Sequence, residues 1–472
     1  MLEIFGHWGA VALSLVHFPL AVAVTLHVLF NKREVGSAIA WIGLAWLSPF
    51  VGSLLYLLFG INRVRRRATQ FRGVENSRAT AVLPGEPNCD DHLFALERAG
   101  GQITRRPTEP GNAISLLQNG DQAYPEMLAA IRAAQVSIAL CSYLFRSDVI
   151  GRTFIDALDD AHRRGVGVRV LIDGVGSGYF LTPTYWQLRR RGIKVVRFMH
   201  SPLPWRMPFI NLRTHKKLLV VDGRVAFMGG LNIGDENVVA NSPAHPVRDT
   251  HFRVEGPVVR QLMESFARDW LFTAGETLAD ITWFPQRSEA VGQIMARAVL
   301  SGPDTDIEKI EFLMLEAIGC AQSSIRIMTP YFLPEDRLIT ALSLAALRGV
   351  DVRIVIPRQS NRRVVDWATR SHIAPLLVAG CRIWENPPPF EHSKLMTIDG
   401  AWGLVGSANW DMRSFRLNFE LNIETYDHNL AQQIDALIAS KQRTPVTEAS
   451  LDARSFVAEL IGNGARLMLP YL

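Results

Sequence analysis

Two stretches decide how this chain is read: His392-Ser-Lys-Leu-Met-Thr-Ile-Asp399 (HSKLMTID) and, earlier, His215-Lys-Lys-Leu-Leu-Val-Val-Asp222 (HKKLLVVD). Each sets a His, a Lys two residues on and a closing Asp against an apolar run. On a strand, residues i and i+2 share a face, so His215 and Lys217 point one way, as do His392 and Lys394. The runs Leu218 to Val221 and Leu395 to Ile398 read as strands buried on both sides. An unpaired ammonium in that interior is costly. The His and Lys are therefore expected at the strand mouths, in a cleft. By the same parity Asp222 and Asp399 face away from the histidines, which suits holding a loop or a junction between lobes.

Working outward, the chain repeats itself. MLAAIRAAQVSI at 127–138 matches MLEAIGCAQSSI at 314–325 in 8 of 12 positions. Arg164-Gly165 matches Arg348-Gly349, and VRV at 168–170 matches VRI at 352–354. Matches in the same order, with a slowly falling offset, indicate two copies of one unit with loops of different length. Val- and Ile-rich segments alternate with helical patterns, which predicts α/β layers. Each copy reads as helix, strand, tyrosine-bearing turn (Tyr143; Tyr331), helix, strand, loop and the His-x-Lys strand. The fold expected is a pair of α/β lobes facing each other across a pseudo-twofold axis, with residues 68–110 as connector and lobes at 111–290 and 291–472.

Two imidazoles and two ammonium groups in one cleft make a poor metal site, because Lys repels cations. They make a good phosphate site: the Lys pair can stabilise charge on phosphoryl oxygens, one imidazole can attack phosphorus and the other can protonate a leaving alkoxide. A small-residue turn follows each strand, Gly229-Gly230-Leu231-Asn232 and Gly406-Ser407-Ala408-Asn409. Asn232, Ser407 and Asn409 are candidates for phosphate binding. Asp249 and Glu420 are candidates for holding a His ring nitrogen, which fixes its tautomer. A lone His-x-Lys is common on surfaces; two complete copies at matched spacing carry the argument. Tyr143 and Tyr331 read as core or rim aromatics.

Composition is that of an ordered protein, 48% hydrophobic and 20% charged, with a mild net charge of +5. The four cysteines are scattered and form no C-x-x-C, so neither a disulfide framework nor a zinc site is indicated. Two runs, Trp8 to Phe30 and Val35 to Gly60, contain no charged residue. Each is long enough for a membrane span of about 20 residues, which predicts a two-helix anchor in residues 1–67 (about 8–30 and 35–60). The arginines from Arg63 to Arg67 then favour keeping the rest of the chain cytoplasmic and could hold anionic headgroups. Trp205, Met207 and Phe209 lie in a Pro-rich segment before His215 that reads either as a membrane-dipping loop or as a packed one.

At the paired motifs the sequence resembles the phospholipase D superfamily. The segments GGLNIGDE, RDTHFRVEGP, TPYFLPED, HSKLMTIDG and NWDMRSFRLNFE, with the paired N-terminal runs, are similar to those of bacterial cardiolipin synthases. The resemblance covers about 120 to 440. It implies a phosphatidyltransferase of the inner membrane that makes cardiolipin from two phosphatidylglycerols, with no metal or other cofactor and no nucleic-acid partner. His215 would be the nucleophile and His392 the general acid and then base, although the sequence alone is symmetric. The superfamily motif also counts Lys217, Lys394, Asp222 and Asp399 in its catalytic set. A hydrolase of the same superfamily, a synthase using phosphatidylethanolamine as co-substrate, a nuclease and a non-catalytic lipid-binding protein are the competing readings. In Gly230 the chain departs from its own second copy, which has Ser407, so the halves are expected to bind phosphate unequally.

Overall fold

The computed structural model describes residues 2–31, 35–48, 50–60, 89–201, 212–286, 289–303 and 306–452, with short pieces at 460–462 and 464–465. Lys32 and Arg33, the Arg63–Arg67 cluster, Trp205, Met207 and Phe209 lie outside these residues. The N-terminal helices form one compact unit and the described chain from residue 89 onward forms another.

The N-terminal unit is a helical hairpin. Helix α1 (Leu2–Asn31) is followed by α2 (Val35–Leu47) and α3 (Val51–Leu55). The second charge-free run is therefore not the single helix expected over 35–60. Pro49 lacks an N–H and disfavours the helical region at the residue before it. Helix α2 accordingly stops at Leu47, and Phe50 takes a left-handed φ of 61°. Among the described residues no helix is both long and apolar enough to cross a membrane. The hairpin closes on a small seam of Val24, Val28, Ala45 and Tyr56, with His27 Nδ1 2.7 Å from the Tyr56 hydroxyl.

The larger unit is built around a 16-stranded sheet. Helix α4 (Phe94–Thr104) leads into the first half, which runs β1 (Glu109–Gln118), α5 (Asn119–Ala133), β2 (Ser137–Ser142), α6 (Val149–Arg163), β3 (Gly167–Asp173), α7 (Pro183–Arg190), β4 (Lys194–Phe198), β5 (Leu218–Val221), β6 (Val225–Gly229), β7 (Thr250–Glu255) and α8 (Val259–Ala274). The second half repeats this order: β8 (Ile294–Ser301), α9 (Lys309–Cys320), β9 (Ser324–Met328), α10 (Asp336–Leu347), β10 (Asp351–Pro357), α11 (Arg363–His372), β11 (Arg382–Asn386), β12 (Leu395–Ile398), β13 (Trp402–Gly406), β14 (Asn418–Tyr426) and α12 (His428–Ser440).

Read outward from the junction, strand order is β1-β7-β6-β5-β2-β3-β4 on one side and β8-β14-β13-β12-β9-β10-β11 on the other, with the short strands Thr444–Val446 at the β11 edge and Arg213–Thr214 beside β14. The halves meet where β1 pairs antiparallel with β8. Strands β2, β3 and β4 are parallel, as are β9, β10 and β11, joined by helical crossovers. The duplication seen in sequence is thus a duplication of topology. The structure adds one helix and one strand per copy, α7–β4 and α11–β11, where the sequence reading had a loop. Each half has its own apolar core: Ile138, Phe154, Val170 and Leu219 in the first, Ile325, Leu342, Ile354 and Met396 in the second. Every residue of β5 and β12 is buried, as their apolar runs required.

Part of the expected connector is structured. Leu93 and Leu96 belong to the core of the second half. Arg297 on β8, fully buried, forms an ion pair with equally buried Glu424 and donates to the carbonyls of Glu97 (3.1 Å) and Arg106 (3.2 Å). It ties α4 to the sheet. Removing one partner of a buried pair leaves the other charge uncompensated, at a cost of about 3–5 kcal/mol. Arg297→Ala is expected to lose stability on that scale, read as a fall in the denaturation midpoint; an unchanged midpoint would contradict this role for the pair.

Candidate active site

His215 and Lys217 sit just before β5, and His392 and Lys394 just before β12, at the mouths of the two strands. What places the histidines is the opposite half. The His215 N–H donates to the Phe419 carbonyl at 2.9 Å, and the His392 N–H to the Arg248 carbonyl at 2.7 Å. Short parallel bridges flank both bonds, Arg213–Thr214 with Asn418–Phe419 and Phe390–Glu391 with Val247–Arg248. The Thr250 and Ser393 hydroxyls meet at 2.7 Å.

The ring bonds cross in the same way. His215 Nδ1 lies 3.0 Å from both oxygens of Glu420, and His392 Nδ1 lies 2.7 Å from Asp249 Oδ2. Register shows that the two carboxylates are counterparts. Gly229 pairs with His251 and Gly406 with Asn422, and each acid stands two residues earlier. With Nδ1 engaged by a carboxylate, each Nε2 carries the lone pair. The rings are 6.5 Å apart at 84° and line a cavity of about 620 Å³. Lys217 Nζ donates to the His215 carbonyl at 2.6 Å and lies over the Tyr143 ring, and Lys394 Nζ donates to the His392 carbonyl. Tyr143 meets His215 edge-on at 5.0 Å, and Tyr331 meets His392 at 6.3 Å, so the tyrosines form the rim.

Asp222 and Asp399 are corrected out of the catalytic set. Asp222 accepts the backbone N–H groups of Gln135, Val136 and Ser137 at 2.8–2.9 Å. Asp399 does the same for Gln322, Ser323 and Ser324. Each stands at φ 53° with a positive-φ glycine after it, at the turns joining β5 to β6 and β12 to β13. Two consecutive positive φ values make a type I′ hairpin, for which Asp-Gly is a preferred pair. The third motif residue closes a hairpin and holds the strand beside it.

Asn232 and Asn409 line the cavity; Ser407 does not. The Ser407 hydroxyl donates to Glu420 Oε2 at 2.6 Å and accepts the Leu421 N–H at 2.9 Å, so it serves the carboxylate rather than a phosphate. Gly230, its counterpart, has no room for a side chain: a Cβ there would come within 2.1 Å of Asp249 Oδ1. Sequence reading also missed the cationic lining of the cavity, Arg146, Arg213, Arg362 and Arg413. Arg213 shares strand parity with His215, and Arg413 lies inside a segment quoted above, so both signals were present.

Burial controls the charge states. It holds the His215 imidazole well below its usual range, with Lys217 and Lys394 adding to the effect, and pushes His392 down to about 3. Burial also brings Lys217 down to about 7 and Lys394 to about 8, against the pull of Glu420 and Asp249. Burial raises the Glu420 carboxyl, while Lys394 and His392 overcome burial to keep Asp249 low and ionised. Burial thus favours neutral imidazoles and weakly charged ammoniums in the site.

An anion in the cavity raises the ammonium pKa values again. A base whose pKa rises on binding takes up a proton above its free pKa, so affinity falls as pH climbs through 7 and 8. Calorimetry with sulfate at pH 8, in buffers of different ionisation enthalpy, is expected to show net proton uptake; proton release would contradict the assignment. Gly230→Ser is expected to displace Asp249 from His392 and cut turnover at least about tenfold, whereas Ser407→Gly removes only one donor and costs less. Equal losses would deny the asymmetry.

Comparison with known proteins agrees with this geometry. A family model for the cardiolipin synthase, phospholipase D-like domain matches residues 127–270 and 314–441, and one for the phospholipase D-nuclease N-terminal region matches 20–60. The chain is 33% identical over 98% of its length to a cardiolipin synthase of Alkalihalophilus pseudofirmus, covering 95% of that protein. It is 34% identical to cardiolipin synthase A of Pseudomonas putida, covering 98% of this chain and 97% of that one. A phosphatidylserine synthase of Haemophilus influenzae shares the fold, with a TM-score of 0.61 at 14% identity over 80% of this chain and all of that one. Two lobes with crossed His–carboxylate pairs, found in a chain matched along nearly its whole length, belong to the cardiolipin synthase family of phospholipase D-like enzymes.

Proposed function

We propose that the protein is a membrane-bound cardiolipin synthase that moves a phosphatidyl group from one phosphatidylglycerol to a hydroxyl of another and releases glycerol. The observation that carries this reading is the facing pair of imidazoles, each held at Nδ1 by a carboxylate from the opposite half. In the first step His215 Nε2 attacks the donor phosphorus. His392, which takes up a proton at Nε2 beside ionised Asp249 as the anionic donor binds, gives that proton to the glycerol oxygen as the bond from phosphorus to that oxygen breaks. In the second step His392 takes the proton of the acceptor hydroxyl. The acceptor oxygen bonds to phosphorus and the His215 N–P bond breaks. Lys217 and Lys394 stabilise the phosphoryl oxygens in both steps. Ionised Asp249 supports an imidazolium at His392, while Glu420 is partly satisfied by Ser407 and Asn418. That asymmetry favours His215 as nucleophile and His392 as acid–base.

Membrane placement rests on the N-terminal hairpin. Leu15, Phe18, Leu29, Phe30, Val35, Ile39 and Leu47 are exposed on it, an apolar surface suited to lipid rather than water. Residues 1–67 are read as a multi-pass anchor in the bacterial inner membrane, 68–110 as a connector and 111–290 and 291–472 as lobes on the cytoplasmic side.

The test uses the full chain in vesicles of phosphatidylglycerol and phosphatidylethanolamine with EDTA present. Cardiolipin with matching glycerol is expected, and His215→Ala should abolish both. Phosphatidic acid without cardiolipin would make the protein a hydrolase. Released ethanolamine would identify the phosphatidylethanolamine-using synthase. Activity that needs an added divalent metal would overturn the phosphohistidine route.

A further inference from the structure

The cavity holds more positive charge than one phosphate in transit requires. The transfer proposed above assigns Lys217 and Lys394 to the phosphoryl oxygens, yet Arg213, Arg362 and Arg413 line the cavity as well. Its other cation, Arg146, is matched by Glu236 at 2.8 Å. Arg213 has the carboxylate of Asp173 only at 3.8 Å, and the oxygens of that group already accept the N–H groups of Val175, Gly176 and Thr214.

The three guanidiniums line one cavity. All of them lower the Tyr143 phenol against its burial, and Arg362 does the same at Tyr331. Burial lowers the Arg413 guanidinium, Arg213 and Arg362 lower it further, and Tyr143 and Asp411 oppose them. Several guanidiniums lining one cavity favour an anionic ligand there, and the guanidinium fork fits phosphate oxygens bidentately.

The acceptor supplies such an anion. In the transfer proposed above, on which this step rests, the reacting hydroxyl sits at one end of a glycerol whose other end already carries a phosphodiester. Water and plain alcohols carry none. We propose that Arg213, Arg362 and Arg413 form a second anion subsite that takes the acceptor's own phosphate while its free hydroxyl reaches the phosphohistidine. The chemistry at phosphorus is unchanged: the acceptor O–P bond forms, the histidine N–P bond breaks and the hydroxyl proton passes to the other imidazole. What the subsite adds is choice of acceptor. It favours an anionic glycerophosphate over water or glycerol, and it is built from both halves, Arg213 from the first and Arg362 and Arg413 from the second.

The test reads product ratios, which do not depend on total rate. Full-length enzyme in phosphatidylglycerol vesicles is offered glycerol 3-phosphate and labelled glycerol at equal concentration and constant ionic strength. Wild type is expected to transfer to glycerol 3-phosphate at least tenfold more than to glycerol. Parity in the wild type overturns the subsite while leaving phosphatidyl transfer intact. Phosphatidic acid as the sole product with either acceptor overturns the transferase reading and the subsite with it. In Arg362→Gln with Arg413→Gln the preference is expected to collapse, with cardiolipin falling at least tenfold relative to phosphatidic acid plus labelled phosphatidylglycerol. Arg362→Lys should restore part of it. A double variant that turns over with the wild-type ratio overturns the proposal. If it does not turn over at all, the wild-type acceptor comparison decides.

Discussion

The crossed hydrogen bonds between the halves are the constraint on which the rest depends. Neither histidine's backbone N–H or ring is held from within its own half. The backbone and ring of His215 are held by residues 419 and 420, and those of His392 by residues 248 and 249. Hydrogen bonds to charged groups in a buried setting are worth more than neutral surface ones, and each is made only when the two lobes are docked. The continuous sheet through β1 and β8 makes that docking part of the fold rather than a transient encounter. The site is rigid because its two halves are anchored in each other.

Burial then sets the chemistry. The strand mouths lie deep enough that both imidazoles are neutral and both ammoniums are weakened. A neutral imidazole with its Nδ1 proton engaged is a ready nucleophile at Nε2. In the transfer proposed above, the same burial lets an arriving phosphate be stabilised by groups that regain charge as it binds. Nucleophilicity in the free state and anion stabilisation in the bound state come from one desolvated setting.

Much of this was legible in the sequence because it depends on local spacing. Strand parity put His and Lys on one face, the apolar runs of β5 and β12 demanded burial, and the falling offset exposed the duplication. Parity also separated Asp222 and Asp399 from the histidines, against their place in the motif. The Asp-Gly pairs at 222–223 and 399–400 were an unread hairpin signal that explains them. Pro49, likewise, was a visible reason for the second N-terminal run to break. Which acid serves which histidine was not legible, since both pairings satisfy the same spacing and only the docking of the lobes selects the crossed one. The fate of Ser407 was hidden for a related reason: its small-residue turn suits a phosphate as well as a carboxylate, and Glu420 reaches it first.

The unequal turns have a consequence for how such a duplicated chain can change. Gly230 goes with Asp249, and Ser407 goes with Glu420; each is a matched pair of a turn residue and an acid. A single exchange that copies one half's residue into the other passes through either a collision with a carboxylate or a carboxylate missing a donor. The two copies are therefore kept from becoming identical again by sequence exchange one residue at a time, and any step back toward symmetry has to move turn and acid together.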